Sequence, residues 1–523
     1  MSRALAWIGL GVALILGGRV RWTLPAQVED LRPRPDALEY EEAARNLVGG
    51  EGYCLILDGG RYPPRYPPGF SLLLAPAMWL TGGRHGTGIW VVLASALGGI
   101  AAVWGLGLVT GGAASAVAAS LLLALASLDV RWSRAVMSDV PTATATGLLA
   151  LGGLLCLRRD ARPRVWLALG AAVGLAALLR STCALLALPL GAAVVVQGGV
   201  GRATAGRLLA FAAGVAAGVL PTALYGLVRF GSPFASGYDY WVHAAFFGWR
   251  NLVDRPAGGG TEGNLFFYMR LLAGGGSLYP WPVALLTALG LVLGFRRPGP
   301  ARLLAALTVG TVLVLLAVYL PFFWQWDRFL LPALPLVVSL AAVPVGSESP
   351  PWLRYSSTVL VAIALVGSGM APGAFGPPDR PLGEVAALRA IAERVEPDAV
   401  LIAHSNLLLV SRLFHDRTTR LWVPVDRCEH RALIRDLKLK PYEPASTPQS
   451  WVWDVMNAPF DSTAAEATLR ALLASGRPIY YAPMLAFQAP LTAPLTVLLR
   501  SRFQLEPVAT RAPTGLMRVR EKP

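Results

Sequence analysis

Carboxylate and arginine side chains occur together in short polar segments that adjoin long apolar ones. Asp36, Glu39 and Tyr40 lie in PDALEYEEAARNLVGG, and Arg65 and Tyr66 lie in the following RYPPRYPPGF. A carboxylate beside a membrane is placed to act as a general base for a hydroxyl group. An arginine held by neighbouring prolines can clamp a phosphate with its planar guanidinium. The alternatives are a solvated, N-capped helix face and a surface loop that touches lipid head groups.

Three further segments carry candidate site residues. Arg134 and Asp139 lie in VRWSRAVMSDVP, Arg328 lies in WQWDRFLLPALP, and Tyr238 lies in FGSPFASGYDYWVH. We expect Arg134 and Arg328 to neutralise a lipid phosphate in one cavity. The residues expected to contact the substrate there are Tyr40, Tyr66, Asp139 and Tyr238. In the simpler alternatives Asp139 caps the next helix, and Arg328 forms a local ion pair with Asp327 in a tryptophan belt.

Composition indicates the class of protein to which these segments belong. The chain has 523 residues, 54% of them hydrophobic and only 15% charged, with a mean hydropathy of +0.52. A soluble chain carries about 25% charged residues, so we predict a polytopic α-helical membrane protein. The net charge of +15 resides largely in short loops between apolar segments, and no nucleic-acid-binding motif is present. We therefore expect membrane lipids and no nucleic acid as partners.

The apolar segments predict about eleven transmembrane helices. The first, Ala4 to Gly17, is flanked by arginines on both sides, which favours a retained span over a cleaved signal peptide. Gly69 to Thr81 has only about half the length needed to cross a bilayer and is expected in the interface. The remaining spans are expected at 87–109, 111–128, 140–157, 165–180, 182–197, 206–229, 279–295, 302–323, 329–345 and 353–371.

Loop charges predict the orientation in the membrane. If the N-terminus is cytoplasmic and successive loops alternate between the two sides of the membrane, three arginine clusters lie on the cytoplasmic side, as the positive-inside rule requires. They comprise Arg158, Arg159, Arg162 and Arg164; Arg202 and Arg207; and Arg296, Arg297 and Arg302. The first loop, the other candidate site segments and the C-terminal domain then face outward from the cytoplasmic (inner) membrane.

The chain divides into two predicted domains. Residues 1–371 form the transmembrane catalytic domain, with interfacial helices in its first loop, and residues 372–523 form a small extracytoplasmic α/β domain. In the second domain we expect helices at Leu382–Val395, Asn406–Leu413 and Ala464–Ala474, and strands at Ala399–Ala403, Arg420–Val425 and Pro478–Tyr481. Within the first domain, small residues recur at helix-packing intervals. These are Gly170, Ala171, Gly174, Gly214 and Gly218.

Taken together, the motifs resemble the glycosyltransferase C superfamily. Within it, they are most similar to bacterial membrane enzymes of the protein O-mannosyltransferase-like and aminoarabinose transferase-like type. The resemblance rests on D-x-x-x-Y-x-x-x-A-x-x-L-x-x-G-x-G-Y (36–53), PPGF (67–70), MSD-x-P (137–141), LLR (178–180), FGSPFASGY (230–238) and R-F-x-L-P-x-L-P (328–335). It covers residues 1–371 and leaves the C-terminal domain unmatched.

The resemblance implies a sugar donor linked to polyprenyl phosphate, with Asp36 as catalytic base and Arg65 as a phosphate ligand. The acceptor is then a lipid, a glycan or a protein. Two departures concern the acceptor and the phosphate contacts: Ala37 stands where many relatives have a second acid, and Glu39 stands where the aminoarabinose enzymes have a basic residue. A divalent metal stays open as a cofactor. The alternative function is a lipid or glycan transporter or flippase.

Overall fold

The computed structural model of the protein consists mainly of apolar helices, with a small mixed sheet near the C-terminus. It describes residues 3–22, 36–57, 60–84, 86–199, 201–238, 247–256, 260–370, 390–391, 393–396, 399–403, 421–424, 462–482, 494–511 and 514–523.

The helical part contains fifteen α-helices within the described residues. They are α1 (Arg3–Arg21), α2 (Asp36–Val48), α3 (Gly69–Leu80), α4 (Gly88–Gly111), α5 (Ala113–Ala124), α6 (Ser127–Trp132), α7 (Asp139–Arg158), α8 (Pro163–Ala176), α9 (Ala187–Gly198), α10 (Arg202–Phe230), α11 (Asn264–Leu272), α12 (Trp281–Arg296), α13 (Pro300–Tyr319), α14 (Leu334–Ala341) and α15 (Pro351–Met370). Short 3-10 helices occur at Ser181–Leu186, Trp249–Leu252, Asp327–Ala333 and Val343–Val345. An antiparallel hairpin of β1 (Leu55–Leu57) and β2 (Gly60–Tyr62) follows α2.

Seven helical segments among the described residues are long and apolar enough to cross a bilayer. They are Ala4–Arg21, Gly88–Gly111, Asp139–Arg158, Ser181–Gly198, Arg202–Phe230, Pro300–Tyr319 and Asp327–Val345. The helices α3, α5, α8 and α12 are apolar but shorter. The multi-pass helical architecture expected from the sequence is confirmed, whereas the count of eleven spans stays a prediction.

One predicted span is interrupted. The sequence predicts a single span over 111–128, but α5 ends at Ala124 and the chain is extended at Ala126 before α6 begins. The buried guanidinium of Arg21 donates to the carbonyl oxygens of Leu123 at 3.3 Å and Ala124 at 2.8 Å, and it pairs with Asp129 at 2.5 Å. These donors satisfy carbonyl groups that a helix end leaves unpaired, so an arginine distant in sequence stabilises the break.

Loops that the charge pattern assigns to one side of the membrane contact one another. Arg207 pairs with Asp160, which joins the loop before α8 to the start of α10. The guanidinium of Arg297 donates to the carbonyl oxygen of Glu348 at 3.0 Å, which joins the loops after α12 and before α15. Each of these two contacts joins loops that the sequence predicts on the same side of the membrane, so the contacts agree with the predicted alternation of loops.

Helices α8 and α10 pack through small residues, as the sequence predicts. Gly170 and Gly174 of α8 face Gly214 and Gly218 of α10, and a Cβ atom at any of these positions would meet backbone of the other helix. At Gly214 it would lie 2.1 Å from the carbonyl oxygen of Leu167. Such close approach of two backbones increases van der Waals contact between membrane helices.

The C-terminal sheet has the strand order β4-β3-β5-β7-β6. Its elements are β3 (Val400–Ala403), β4 (Leu421–Pro424), α16 (Ser462–Ala474), β5 (Ile479–Tyr481), α17 (Pro494–Arg502), β6 (Phe503–Pro507) and β7 (Met517–Glu521). Strand β3 pairs in parallel with β4 and β5, whereas β7 runs antiparallel to β5 and β6.

The α/β class predicted for the C-terminal part is confirmed. The expected helix within 464–474 and the strands within 399–403, 420–425 and 478–481 are present, but the sequence analysis missed α17, β6 and β7. The predicted helix 406–413 and all but the end of helix 382–395 lie outside the described residues. The domain boundary at 371/372 adjoins the undescribed residues 371–389 and stays a prediction.

Glu41 joins the first loop to the start of α4. Its buried carboxylate accepts the backbone N–H groups of Gly86 at 2.7 Å and Gly88 at 3.1 Å. A carboxylate at this position complements the positive end of the α4 dipole. Burial raises the pKa of Glu41 to about 7, although the two N–H donors oppose this shift.

We predict that Gly214→Ala destabilises the protein, because the added methyl group collides with backbone of α8. Overpacking of this kind costs about 1–3 kcal/mol. The matched control is Gly206→Ala on the same helix, where a Cβ atom meets nothing within 4 Å. There the loss of glycine's flexibility should stabilise by about 0.5–1 kcal/mol. Thermal unfolding in detergent measures both effects, and equal shifts in the two variants would contradict this packing.

We also predict a pH-dependent gain in stability from Glu41→Gln. The pKa of Glu41 is higher in the folded protein, at about 7, than its ordinary value of 4.5, so the folded state binds the proton more tightly than the unfolded state does. The stability that this proton contributes is therefore present at low pH and is lost as the pH rises from about 4.5 to about 7. The free energy of unfolding of Glu41→Gln, minus that of wild type, should therefore rise from about pH 5 to about pH 8. Glu51→Gln, at an exposed pair with Arg61, is the control. A constant difference across this range would refute the prediction.

Candidate active site

Six charged side chains from four separate segments, 36–65, 139, 180 and 328, form a continuous series of contacts, which we call the charge chain. Carboxylates alternate with guanidinium groups along it. Its members, in spatial order, are Glu39, Arg65, Asp36, Arg328, Asp139 and Arg180. All four segments lie in loops or at helix ends that the charge pattern predicts on one side of the membrane.

Asp36 is the first residue of α2 and occupies the middle of the charge chain. Arg328 Nη2 donates to Asp36 Oδ2 at 2.9 Å, and Arg65 Nη2 lies 4.0 Å from Asp36 Oδ1. The Tyr66 hydroxyl donates a further hydrogen bond to this carboxylate. Burial acts to raise the pKa of Asp36, but the charges of Arg328 and Arg65 and the bonded hydroxyl together hold it below its ordinary value. Asp36 is therefore ionised at neutral pH.

Glu39 holds Arg65 at one end of the charge chain. Arg65 Nε donates to Glu39 Oε1 at 2.6 Å, and the backbone N–H of Arg65 reaches Glu39 Oε2 at 3.3 Å. Both side chains are largely buried, with 19% of Arg65 and 5% of Glu39 exposed. Burial raises the pKa of Glu39, against the opposing effect of Arg65. The sequence analysis did not foresee this pair, although Glu39 stands one helical turn after Asp36, on the same face.

Arg328 and Arg180 hold Asp139 from two sides. Arg328 Nη1 lies 3.6 Å from Asp139 Oδ2, and Arg180 Nη1 donates to Asp139 Oδ1 at 2.5 Å. The Arg328 guanidinium also lies over the rings of Trp132 at 5.0 Å and Trp326 at 5.2 Å, close enough for cation–π attraction. Asp139 thus fixes two arginines and is more than a helix cap. Arg180 was noted in the motif LLR but was not predicted as a site residue.

Three tyrosines form an aromatic wall beside Asp36. The rings of Tyr40 and Tyr66 stack with centroids 4.5 Å apart, and Tyr238 meets Tyr66 edge to face at 5.5 Å. Tyr40 and Ser138 share a hydrogen bond of 3.0 Å between their hydroxyl oxygens. The structure therefore brings together the three tyrosines that the sequence analysis selected as substrate contacts.

Arg134 takes a different position from the one expected. Its guanidinium donates to the carbonyl oxygen of Val20 at 2.8 Å, at the end of α1. Burial and the neighbouring charge of Arg21 lower the pKa of Arg134. This contact fixes the turn before α7 to α1, whereas Arg65 and Arg328 face Asp36. The phosphate contact expected of Arg134 stays a prediction.

Asp327 does not form the local ion pair with Arg328 that was considered as an alternative. It pairs with Arg131, and it accepts a hydrogen bond from the Ser277 hydroxyl at 2.5 Å. Arg328 instead turns towards Asp36 and Asp139. Adjacent residues on this short 3-10 helix thus point to different partners, which sequence spacing alone does not reveal.

The charge chain is suited to anion binding and proton transfer. Each carboxylate contacts an arginine, and the arginines provide guanidinium groups that match phosphate oxygens. Among the residues that the structure describes, no group of three His, Cys, Asp or Glu side chains is arranged to hold a metal ion. Asp36 is an ionised carboxylate between two arginines, Arg65 and Arg328. Either arginine could bind a phosphate in place of Asp36.

Comparison with known proteins identifies related sequences and folds. Residues 65–225 match the family described as dolichyl-phosphate-mannose-protein mannosyltransferase. A search of curated proteins found no match.

Solved structures with the same fold include the following three. ArnT from Cupriavidus metallidurans, bound to undecaprenyl phosphate, superposes with a TM-score of 0.65 at 16% identity, covering 99% of this chain and 98% of ArnT. The Archaeoglobus fulgidus oligosaccharyltransferase tethered to an acceptor peptide superposes with a TM-score of 0.57 at 10% identity. The match covers 100% of this chain and 74% of the oligosaccharyltransferase. The oligosaccharyltransferase AglB from the same organism, in complex with an inhibitory peptide and a dolichol-phosphate, superposes with a TM-score of 0.54 at 12% identity. The match covers 99% of this chain and 74% of AglB.

The match to ArnT therefore includes both the helical part and the C-terminal sheet of this chain. The family match falls on the segment that runs from Arg65 through Asp139 and Arg180. The family match and the fold shared with ArnT confirm the resemblance drawn from the sequence motifs.

Proposed function

We propose that this protein is an integral-membrane glycosyltransferase that moves a sugar from a polyprenyl-phosphate donor to a hydroxyl acceptor. The reaction takes place at the outer face of the cytoplasmic membrane and inverts the sugar configuration. The observation that carries the proposal is the position of Asp36, which is largely buried, between Arg328 and Arg65. A base and the ligands of a leaving phosphate lie there within one cluster.

Arg65 and Arg328 are the proposed ligands of the donor phosphate. Both are buried, both face Asp36, and each has a guanidinium whose geometry suits two phosphate oxygens. Asp139, which is itself paired with Arg180, holds Arg328, and Glu39 holds Arg65. The fold shared with ArnT, which was solved with undecaprenyl phosphate bound, supports a prenyl-phosphate ligand here.

The reaction needs a base but no general acid. The acceptor oxygen forms a bond to the anomeric carbon as the bond from that carbon to the phosphate oxygen breaks. The electron pair leaves with the prenyl phosphate, whose charge the two arginines offset, and the acceptor proton passes to Asp36. A single displacement inverts the anomeric centre, and no covalent glycosyl-enzyme intermediate is required.

Donor binding activates the base in this scheme. Without donor, Asp36 is a weak base because Arg328 and Arg65 lower its pKa. When the phosphate takes these arginines as partners, Asp36 loses much of that stabilisation and becomes more basic. The base therefore gains strength only when a donor is present, which limits its action on water.

The aromatic wall is the proposed contact surface for the sugar or the acceptor. Tyr40, Tyr66 and Tyr238 lie beside Asp36, and aromatic faces pack well against the apolar face of a sugar ring. The acceptor is a lipid, a glycan or a protein hydroxyl group. The archaeal oligosaccharyltransferase structure, which has a tethered acceptor peptide, supports a protein as one of these acceptors.

We predict that Asp36→Asn abolishes transfer while donor binding survives. Loss of a general base lowers the rate by about 10²–10⁴-fold, whereas the amide keeps the shape of the carboxylate. The measurement is the release of prenyl phosphate from a panel of radiolabelled polyprenyl-phosphate sugars by purified protein. Asp160→Asn, at an exposed carboxylate in a loop predicted on the opposite side, is the control and should retain the wild-type rate.

Arg65→Ala should weaken donor binding itself. Removal of a charge-assisted hydrogen bond costs about 1.5–3 kcal/mol, or about 10–100-fold in affinity. Arg61→Ala is the matched control, because Arg61 lies four residues earlier in the same loop and is 62% exposed beside Glu51. If wild-type protein binds no donor of the panel, the transferase proposal fails and transport of a lipid-linked substrate becomes the function to assay.

A further inference from the structure

The charge chain is electrically balanced without a ligand. Three carboxylates, Glu39, Asp36 and Asp139, face three arginines, and every one of these six side chains is less than one-fifth exposed. The formal charge of the buried cluster is therefore zero. This balance matters because the proposed donor is an anion.

A phosphodiester brings one fixed negative charge into this cluster. An unpaired charge in a buried site is costly, and such sites usually respond by neutralising one group. The arginines cannot lose charge by deprotonation at ordinary pH. Neutrality is restored if one of the three carboxylates takes up a proton.

The geometry selects Glu39 for this role. Asp139 lies between Arg180 and Arg328, at 2.5 Å and 3.6 Å. Asp36 has Arg328 at 2.9 Å, Arg65 at 4.0 Å and the Tyr66 hydroxyl. Glu39 stands at the end of the charge chain, and within the described part of the protein it forms an ion pair with Arg65 alone. Removing Arg65 thus takes away the cation on which its ionised form depends.

We propose that Glu39 exchanges Arg65 for a proton from solvent when the donor phosphate binds, so that the charge chain stays neutral. The protonated carboxyl then donates a hydrogen bond to a phosphate oxygen, and Arg65 pairs with the phosphate. Asp36 remains ionised and available as the base. This inference rests on the proposed function and adds a proton-linked binding step to it.

The groups around Glu39 support the exchange. The titratable groups that act on it or respond to its charge are Arg65, Asp36 on its own helix, and the tyrosines Tyr53 and Tyr66. Arg65 is the only cation among these. Burial and the like charge of Asp36 already raise the pKa of Glu39 while Arg65 is in contact, so the departure of Arg65 shifts it further in the same direction.

The test measures proton uptake on binding. Purified full-length protein is titrated calorimetrically with the methyl diester of undecaprenyl phosphate in buffers of different ionisation enthalpy. This probe has no sugar, and its single negative charge does not titrate near neutrality, so the counted protons come from the protein. Wild type should take up about one proton, and its Kd should rise with pH by at most about tenfold per unit.

Two variants separate proton exchange from simple positioning. Glu39→Gln retains an oxygen for Arg65 but cannot titrate, so it should take up no proton and bind the diester more tightly than wild type at about pH 8.5. A residue that only positioned Arg65 would instead give weaker binding in the variant at every pH. Glu41→Gln, at a buried carboxyl of the same helix bound to Gly86 and Gly88, is the control and should keep wild-type proton uptake.

The possible outcomes test the proton exchange at Glu39 separately from the proposed transferase function. Binding of the diester without proton uptake, or equal uptake in wild type and Glu39→Gln, overturns the exchange but leaves the transferase proposal standing. Failure of wild type to bind the diester, together with failure to bind any sugar donor, overturns both. Uptake of about one proton that disappears in Glu39→Gln and persists in Glu41→Gln supports the exchange.

Discussion

The structure depends on one constraint, the pairing of charges that are buried where several helices end. Asp36, Arg328 and Asp139 lie mostly out of solvent, and an isolated charge there would destabilise the fold by several kcal/mol. Each is therefore held by neighbours from distant parts of the sequence. The same pairing that stabilises the cluster places the Asp36 carboxylate between the two proposed phosphate ligands, Arg65 and Arg328.

Other parts of the fold keep this cluster in position. Arg21 closes the end of α5 and pairs with Asp129, which fixes the turn that leads to Asp139. Glu41 joins α2 to the start of α4 through two backbone N–H groups. Further from the site, the glycine contacts of α8 and α10 stabilise the helix pair that precedes and follows Arg180. The charge chain thus rests on helix ends, although its residues lie in loops and first turns.

The sequence predicted the class of the fold, and its motifs contain the residues that the structure brings together in the charge chain, because both follow from local signals. Long apolar segments define helices, and the polar motifs that interrupt them contain Asp36, Arg65 and Arg328. Two features could not be predicted because they depend on tertiary contacts. The partner of Arg65 is a carboxylate, Glu39, at a position that the family pattern led us to compare only with basic residues. Arg134, which has the right charge and the right loop, is instead bound by the backbone of α1.

The central claim is that a prenyl phosphate replaces Asp36 as the partner of Arg65 and Arg328. The most direct test is an experimental structure of the protein with undecaprenyl phosphate bound in a lipid nanodisc. The account predicts phosphate oxygens within about 3 Å of both guanidinium groups, with the Asp36 carboxylate released from Arg328 and facing the phosphate site. Phosphate bound elsewhere, with the contact between Arg328 and Asp36 intact, would contradict the account.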